Sequence, residues 1–304
     1  MSKTVHILMR AVISLAFIVL VAGAHVVSAQ STLTGDWRAS VNREESDKIY
    51  LSFERRSEKG GKNQMGSTYE YAQLQGLNHE QAIRGGAVKF SLVREAGTIE
   101  CEGSFQNGKG SGTFRFTGNQ SFISAMRSRG FDFEKNSSTS HGAEHAEDRL
   151  FAATTLNVTT ALADDLLSAN FGKLDVDDLF KAAIFKVDSK FMREMTASGF
   201  PNLGMEELVK ARIFKIDADF VRRVTEMGFA KESFETLVKM QIFKVTPDFI
   251  NEARNEGLTN LSIEELVQLR IFKIDSAFIR QAKADGVPLE VEKLVQKRIG
   301  VWGK

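Results

Sequence analysis

The chain has 304 residues, 42% hydrophobic and 26% charged, with only three prolines; that is too much apolar content for a disordered or proline-rich architecture. Lys and Arg number 40 against 39 Asp and Glu, so no global charge draws the chain to nucleic acid. A single cysteine, Cys101, excludes a framework of intramolecular disulfides.

The first element is a processing segment. Lys3 and Arg10 make a positive start, residues 11–22 form a short uncharged apolar run, and Val27-Ser28-Ala29 puts small residues at the cleavage positions. This predicts a signal peptide over 1–29 and a mature chain beginning at Gln30, exported to the periplasm or secreted. The run is shorter than the ~20 residues that span a bilayer. No second such run follows, so no membrane span is expected after cleavage, although retention of 1–29 as an anchor stays open. Removal takes away two bases and no acid, leaving 38 basic and 39 acidic side chains.

Residues 30–118 read as an antiparallel β-domain. Gly35-Asp36-Trp37 leads a first strand, and Ile49, Leu51 and Phe53 alternate onto one face of a second. Segments 87–93 and 97–105 predict a hairpin about Glu95-Ala96-Gly97, and 97–105 pairs onward with 112–116 across Asn107-Gly108. Six strands are expected, with 57–64 as a polar loop. The Gly-x-Trp start resembles the lipocalin signature, but the segment has little room for eight strands; a small sandwich or open barrel fits better. In Ile99-Glu100-Cys101-Glu102-Gly103-Ser104-Phe105 the period is two, so Cys101 shares the face of Ile99 and Phe105 as a buried thiol.

Residues 119–145 are expected to hold a first helix and a polar, serine-rich linker over 131–142. Residues 146–304 are a helical repeat array. Ile184-Phe185-Lys186-Val187-Asp188 returns as Ile213-Phe214-Lys215-Ile216-Asp217, Ile242-Phe243-Lys244-Val245-Thr246 and Ile271-Phe272-Lys273-Ile274-Asp275, always 29 residues on. Phe191, Phe220, Phe249 and Phe278 follow in register, as do Gly199, Gly228, Gly257 and Gly286. Each unit reads as two short helices. The second is capped by Asp217 or its equivalents, opens on Pro247 after Thr246 in one unit, and is ended by the glycine. Residues 146–171 are a degenerate unit, Asn119-Gln120-Ser121-Phe122 with Gly130 imitates a second helix, and 289–300 is a final first helix one residue short. Helices this short are marginal alone and are held by stacking on their neighbours. The fold class is therefore α+β: a small antiparallel sandwich or open barrel, then an α-solenoid of ~29-residue hairpins.

Catalytic signals are sparse. His141-Gly142-Ala143-Glu144-His145 spells the inverted zinc-protease motif, two imidazoles with Glu144 as general base, but Gly142 and the serine-rich context argue for a solvated helix start. There is no nucleophile elbow, and Gly108-Lys109-Gly110-Ser111-Gly112 is a hairpin rather than a phosphate loop. No cofactor is expected. Two basic ladders stand out: Lys186, Lys215, Lys244 and Lys273 at the end of each first helix, and Arg193, Arg222 and Arg280 on each second helix with Asn251 interrupting. The lysines complement the helix dipole; the same row is also a candidate stripe for an acidic peptide or anionic polymer. From 150 to 304 the count is 22 basic and 23 acidic side chains, so such a stripe is local.

The run Leu-Val-x-x-x-Ile-Phe-Lys-Val-Thr-Pro-Asp-Phe-Ile at 237–250 resembles the helical repeats trailing some bacterial sensor-type membrane metallopeptidases of the beta-lactam antirepressor class. The whole of 32–300, with the strand 110–117 running into a phenylalanine-bearing helix, resembles exported proteins that pair a small β-domain with such repeats. The metallopeptidase domain has no counterpart: there is no H-E-x-x-H and no membrane bundle, so peptidase activity does not carry over. The resemblance implies an envelope-facing sensing or interaction module. The leading expectation is a non-enzymatic protein that binds a protein or peptide, acidic where the basic ladders meet it, through its repeats. A carrier of a small apolar ligand in the β-domain and a metal-dependent hydrolase using His141, Glu144 and His145 are the alternatives.

Overall fold

The computed structural model describes residues 32–41, 45–56, 62–135, 146–169 and 172–303. The expected signal peptide and the His141–His145 motif lie outside them. Seven strands form one antiparallel sheet: β1 (Thr32–Val41), β2 (Lys48–Arg56), β3 (Lys62–Glu70), β4 (Leu74–Gln75), β5 (Gly86–Arg94), β6 (Gly97–Gln106) and β7 (Lys109–Gly118). Their order, β3-β2-β1-β7-β6-β5-β4, leaves β3 and β4 as unpaired edges, so the sheet curls into a half-barrel that does not close. One more strand is present than expected. Residues 62–64 open β3 instead of lying in a loop. That strand is polar and glycine-bearing, so it carries little of the alternation by which the others were found.

Register explains the single apolar face. Trp37 pairs with Phe53, Ala39 with Leu51 and Val41 with Ile49; Ile99 pairs with Phe116 and Cys101 with Phe114. These residues alternate inward, and the partners between them, such as Arg38 and Ser52 or Glu100 and Arg115, sit on the opposite, mostly polar face. Trp37 is fully buried and lies close against two glycines. A Cβ on Gly103 would lie 2.7 Å from the indole, and one on Gly110 would lie 2.8 Å from it. One on Gly112 would lie 2.0 Å from the Glu102 carbonyl, the same oxygen to which Trp37 Nε1 donates at 3.1 Å. The glycine-rich hairpin is the seat of Trp37. Asn107 and Gly108, at φ 53° and 74°, make its two-residue turn.

Thirteen helices lie among the described residues. α1 (His79–Arg84) sits between β4 and β5, where Asn78 and Gln81 form a capping box and Ala82 is buried against the sheet. The others form two rows. The A row holds α3 (Ala146–Leu156), α5 (Val176–Phe185), α7 (Met205–Ile213), α9 (Phe234–Ile242), α11 (Ile263–Ile271) and α13 (Val291–Arg298). The B row holds α2 (Gln120–Arg127), α4 (Thr160–Ser168), α6 (Ser189–Ala197), α8 (Ala218–Glu226), α10 (Pro247–Asn255) and α12 (Ser276–Ala284). Leu150, Leu179, Leu208, Leu237, Leu266 and Leu294, one per A helix, are at most 1% exposed and form a continuous spine. Asp188, Asp217, Thr246 and Asp275 each accept the N–H three residues on, at 2.8–3.3 Å. Gly199, Gly228, Gly257 and Gly286 end the B helices at φ 76–100°.

The array grows from the sheet, and α3 is the seam. Phe151 stacks on Phe114 at 5.3 Å and 10° and meets Phe116 and Phe53 edge-on. Arg94 donates to the terminal α3 carbonyls of Thr154 and Thr155 at 2.8 and 3.0 Å, and Tyr69 Oη donates to Thr155 at 3.2 Å. Glu95 accepts from the backbone N–H and hydroxyl of Thr160 at the start of α4, both at 2.9 Å. Residues 131–135 are irregular, as a linker would be, but not wholly polar in their packing. Phe131 and Phe133 are buried, Phe133 contacts Phe122 and Phe180, and the buried Arg149 donates to the carbonyls of Asp132, Phe133 and Lys135.

Phe151→Ala is expected to cost about 3–5 kcal/mol, read by urea denaturation, because it empties the space between sheet and array. Burial pushes the Tyr69 phenol from its ordinary 10.0 up to about 12. Between those pH values the unfolded chain releases the proton and the folded one holds it, so this phenol lowers stability as pH rises through the window, by up to about 3 kcal/mol. Tyr69→Phe should cost about 1 kcal/mol at neutral pH and flatten the alkaline decline. An unchanged decline would assign it elsewhere.

Candidate docking edge of the helical array

Each A helix passes to its B helix through the same turn. The first residue after the Phe is left-handed: Lys186, Lys215, Lys244 and Lys273 have φ 51–58°. The N–H of the next residue reaches back five positions, Val187 to Ala182, Ile216 to Ala211, Val245 to Met240 and Ile274 to Leu269, at 2.8–3.1 Å. The degenerate first unit builds this turn on Asn157 (φ 58°), and the last builds it on Gly300 (φ 78°). Asparagine and glycine are the residues that adopt this conformation most readily. The four units between them use lysine.

The turn sorts the signature by side. Val187, Ile216, Val245 and Ile274 are at most 3% exposed. The signature phenylalanines Phe185, Phe214, Phe243 and Phe272 are partly buried against the core. The isoleucine before each is not core: Ile184, Ile213, Ile242 and Ile271 are 50–52% exposed, and Ile299 in the last unit 56%. The cause is helical phase. Ile213 lies seven residues after Glu206 and three after Lys210, so it shares their outward stripe, while Met205, Leu208 and Val209 take the inner one. Every middle unit thus presents one half-exposed isoleucine and, two residues on, one exposed lysine.

The charges around this edge are not equivalent. Two of the acids at the outer N-terminal ends of the A helices are tied across units, Glu206 by Lys181 at 2.6 Å and Glu235 by Lys210 at 3.0 Å, whereas Glu264 at the same repeat position enters no ion pair among the described residues. Lys186, Lys215, Lys244 and Lys273 are all exposed and take part in no ion pair among the described residues. The expected arginine ladder fares differently. Arg222 is held by Asp219 and Glu226 on its own helix, Arg280 by Glu256, and Arg193 is exposed beside a groove with Pro201 and Leu203.

A different set of arginines joins the units. Arg212 lies over the Phe191 ring at 3.7 Å, Arg270 over Phe249 at 3.8 Å and Arg298 over Phe278 at 5.0 Å. Gln241 stands at the same repeat position and donates to the Lys215 carbonyl at 3.3 Å, as Arg298 does to that of Phe272 at 3.0 Å. The 29-residue period of 212, 241 and 270 was available as a signal, hidden by the glutamine.

The sheet carries a second concavity of about 710 Å³, open on its polar face. Asp36, Lys89, Glu100, Glu102 and Arg115 line it, with Lys89 and Glu102 paired at 2.8 Å and Arg115 and Glu100 at 2.7 Å. The Lys89 ammonium holds the Glu102 carboxyl below the usual carboxylate range. The apolar face is the one packed by α1 and α3. Cys101 is 1% exposed and burial pushes its thiol up, which makes it inert. No cluster of three His, Cys, Asp or Glu side chains suited to a metal ion, and no helix long and apolar enough to cross a membrane, occurs among the described residues.

Ile242→Ser should change stability by no more than about 0.5 kcal/mol, whereas Leu237→Ala on the inner face of the same helix should cost about 2–5 kcal/mol. Paired denaturation curves decide it, and equal losses would place Ile242 in the core. The chain matches no protein-family model, no curated protein and no solved structure.

Proposed function

We propose that this chain is an exported, non-enzymatic docking protein whose helical array holds a protein or peptide partner. One observation carries the reading: four consecutive units place an exposed, unpaired lysine at a left-handed turn that the first and last units build with asparagine and glycine. The backbone alone does not call for lysine there, since a lysine in this conformation costs more than a glycine does sterically. Stacked at one repeat position, the four ammonium groups make a row of positive charge on a chain close to neutral. Rows at equal positions of a solenoid form the extended surfaces such architectures offer to partners.

The N-terminal segment supports the compartment, a bacterial periplasm or the medium. The sheet supports a role in anchoring and orienting the array, because α3 and α4 are both tied to it. A carrier of apolar molecules would need the sheet's apolar face open, and Phe151 with α1 occupies it.

The test replaces Lys186, Lys215, Lys244 and Lys273 together by Gln and compares partner capture from envelope extract, with quantitative mass spectrometry, at low and high salt. Capture of the specific partner by the parent chain should weaken about tenfold in the variant, roughly 0.3–0.4 kcal/mol per lysine at exposed-pair strength, with the salt dependence reduced. An undiminished specific partner would remove the lysines from the interface.

A further inference from the structure

The lysine row has an apolar companion. Ile184, Ile213, Ile242 and Ile271 are each at least half exposed, at one repeat position, two residues before the lysine; Ile299, directly before Gly300, is exposed as well but has no such lysine. Single exposed isoleucines are unremarkable. Four in a row on successive helices, each two residues before an exposed lysine, form an amphipathic strip along one edge of the array.

We propose that this strip binds an extended polypeptide that places an apolar side chain on each isoleucine and carboxylates between them. The proposal rests on the docking reading and names its site and the chemistry of its occupant. Charge complementarity sets the sign. Glu206 and Glu235 on the same outer face are already engaged by Lys181 and Lys210. Asp188, Asp217 and Asp275, close to the lysines, are turned to the first-turn N–H groups of the B helices. What the strip leaves unmatched is four ammonium groups against one carboxylate, Glu264, at the repeat position of Glu206 and Glu235.

Spacing sets the conformation. Packed helices lie about 8–10 Å apart, and adjacent A helices here are joined by direct side-chain bonds such as Lys210 to Glu235. A polyproline II chain advances about 9 Å in three residues, which is one full turn, so every third side chain returns to the same side; a β-strand covers a similar distance but points its residues i and i+3 to opposite sides. A polyproline II occupant with an apolar residue at every third position therefore meets one isoleucine per unit without losing register, and the residues between bring carboxylates to the lysines. A helical occupant matches this step only once in about seven residues, which leaves most of its apolar face unused.

The probe is a fluorescein-labelled peptide of about fifteen residues, Leu-Asp-Ser repeated, long enough to span the four units at three residues each. The full chain is titrated with it by fluorescence anisotropy. Comparison ligands are Leu-Lys-Ser repeats, a scrambled peptide of the same composition, a helical peptide with leucine at every seventh position, and phosphatidylglycerol vesicles. The expected result is saturable binding of the Leu-Asp-Ser peptide, weakened about tenfold or more by Ile213→Ser with Ile242→Ser, whose melting temperature should match the parent's. The lysine-to-glutamine variant should weaken it as well. Equal binding of the scrambled peptide would overturn the spacing. Tighter binding of the helical peptide would overturn the extended occupant, and isoleucine-dependent binding of vesicles without peptide binding would make the strip a lipid contact instead.

The two readings fail separately. If the probe does not bind while the Ile213→Ser, Ile242→Ser chain still captures a specific partner from extract, the array docks elsewhere and this strip is wrong. If neither the probe nor any specific partner is retained, the docking reading falls with it.

Discussion

A single backbone hydrogen bond, repeated at 29-residue intervals, governs the geometry of the array. The N–H that follows each left-handed lysine returns to a carbonyl five residues back and forces the chain to reverse almost at once. With so short a turn, the direction of every nearby side chain is fixed. The residue after the lysine falls into the groove between rows. The phenylalanine before it is half covered, and the isoleucine before that is left outside. The exposed strip is thus a consequence of turn geometry acting on helical phase.

The same shortness makes the units interdependent. Helices of eight to eleven residues, as the A row has, do not hold themselves in water. Their stability comes from the leucine spine and from side chains that reach across a unit boundary, such as Arg212 on Phe191 or Arg254 on the Met227 carbonyl. The stack must begin somewhere, and it begins on the sheet. α3 is at once the first A helix and the cover of the sheet's apolar face, with its last carbonyls met by Arg94 and Tyr69. At the far end α13 buries Val291 and Leu294 inward, and the chain folds back so that the backbone N–H of Trp302 donates to the Gln296 carbonyl. Sheet and array share one core, so the sheet fixes the direction in which the strip faces.

Much of this architecture was legible from spacing. Repeats identify themselves by period, and capping residues such as Asp217, Thr246 and Pro247 mark the helices because their chemistry is local. The hairpins at Glu95-Ala96 and Asn107-Gly108 were readable for the same reason. β3 was not, because its sequence lacks apolar alternation and its pairing with β2 is not local. Phe131 and Phe133 read as part of a polar linker because serines outnumber them; their burial depends on Phe180 and Arg149, which belong to later elements. The lysine row was visible but its backbone conformation was not, since lysine gives no hint of a positive φ. The isoleucines were read only as part of the recurring motif. Assigning them outward required the phase of Glu206 and Lys210, which the structure supplies.

The most direct measurement is residue-resolved amide hydrogen exchange at Val187, Ile216, Val245 and Ile274. If their N–H groups close the turns as described, all four should exchange as slowly as the amides of Leu208, Leu237 and Leu266 on the spine, and only with unfolding of the array. Exchange at the rate of exposed amides at these positions, with the spine still protected, would show open turns and an unfixed edge, and would contradict the account.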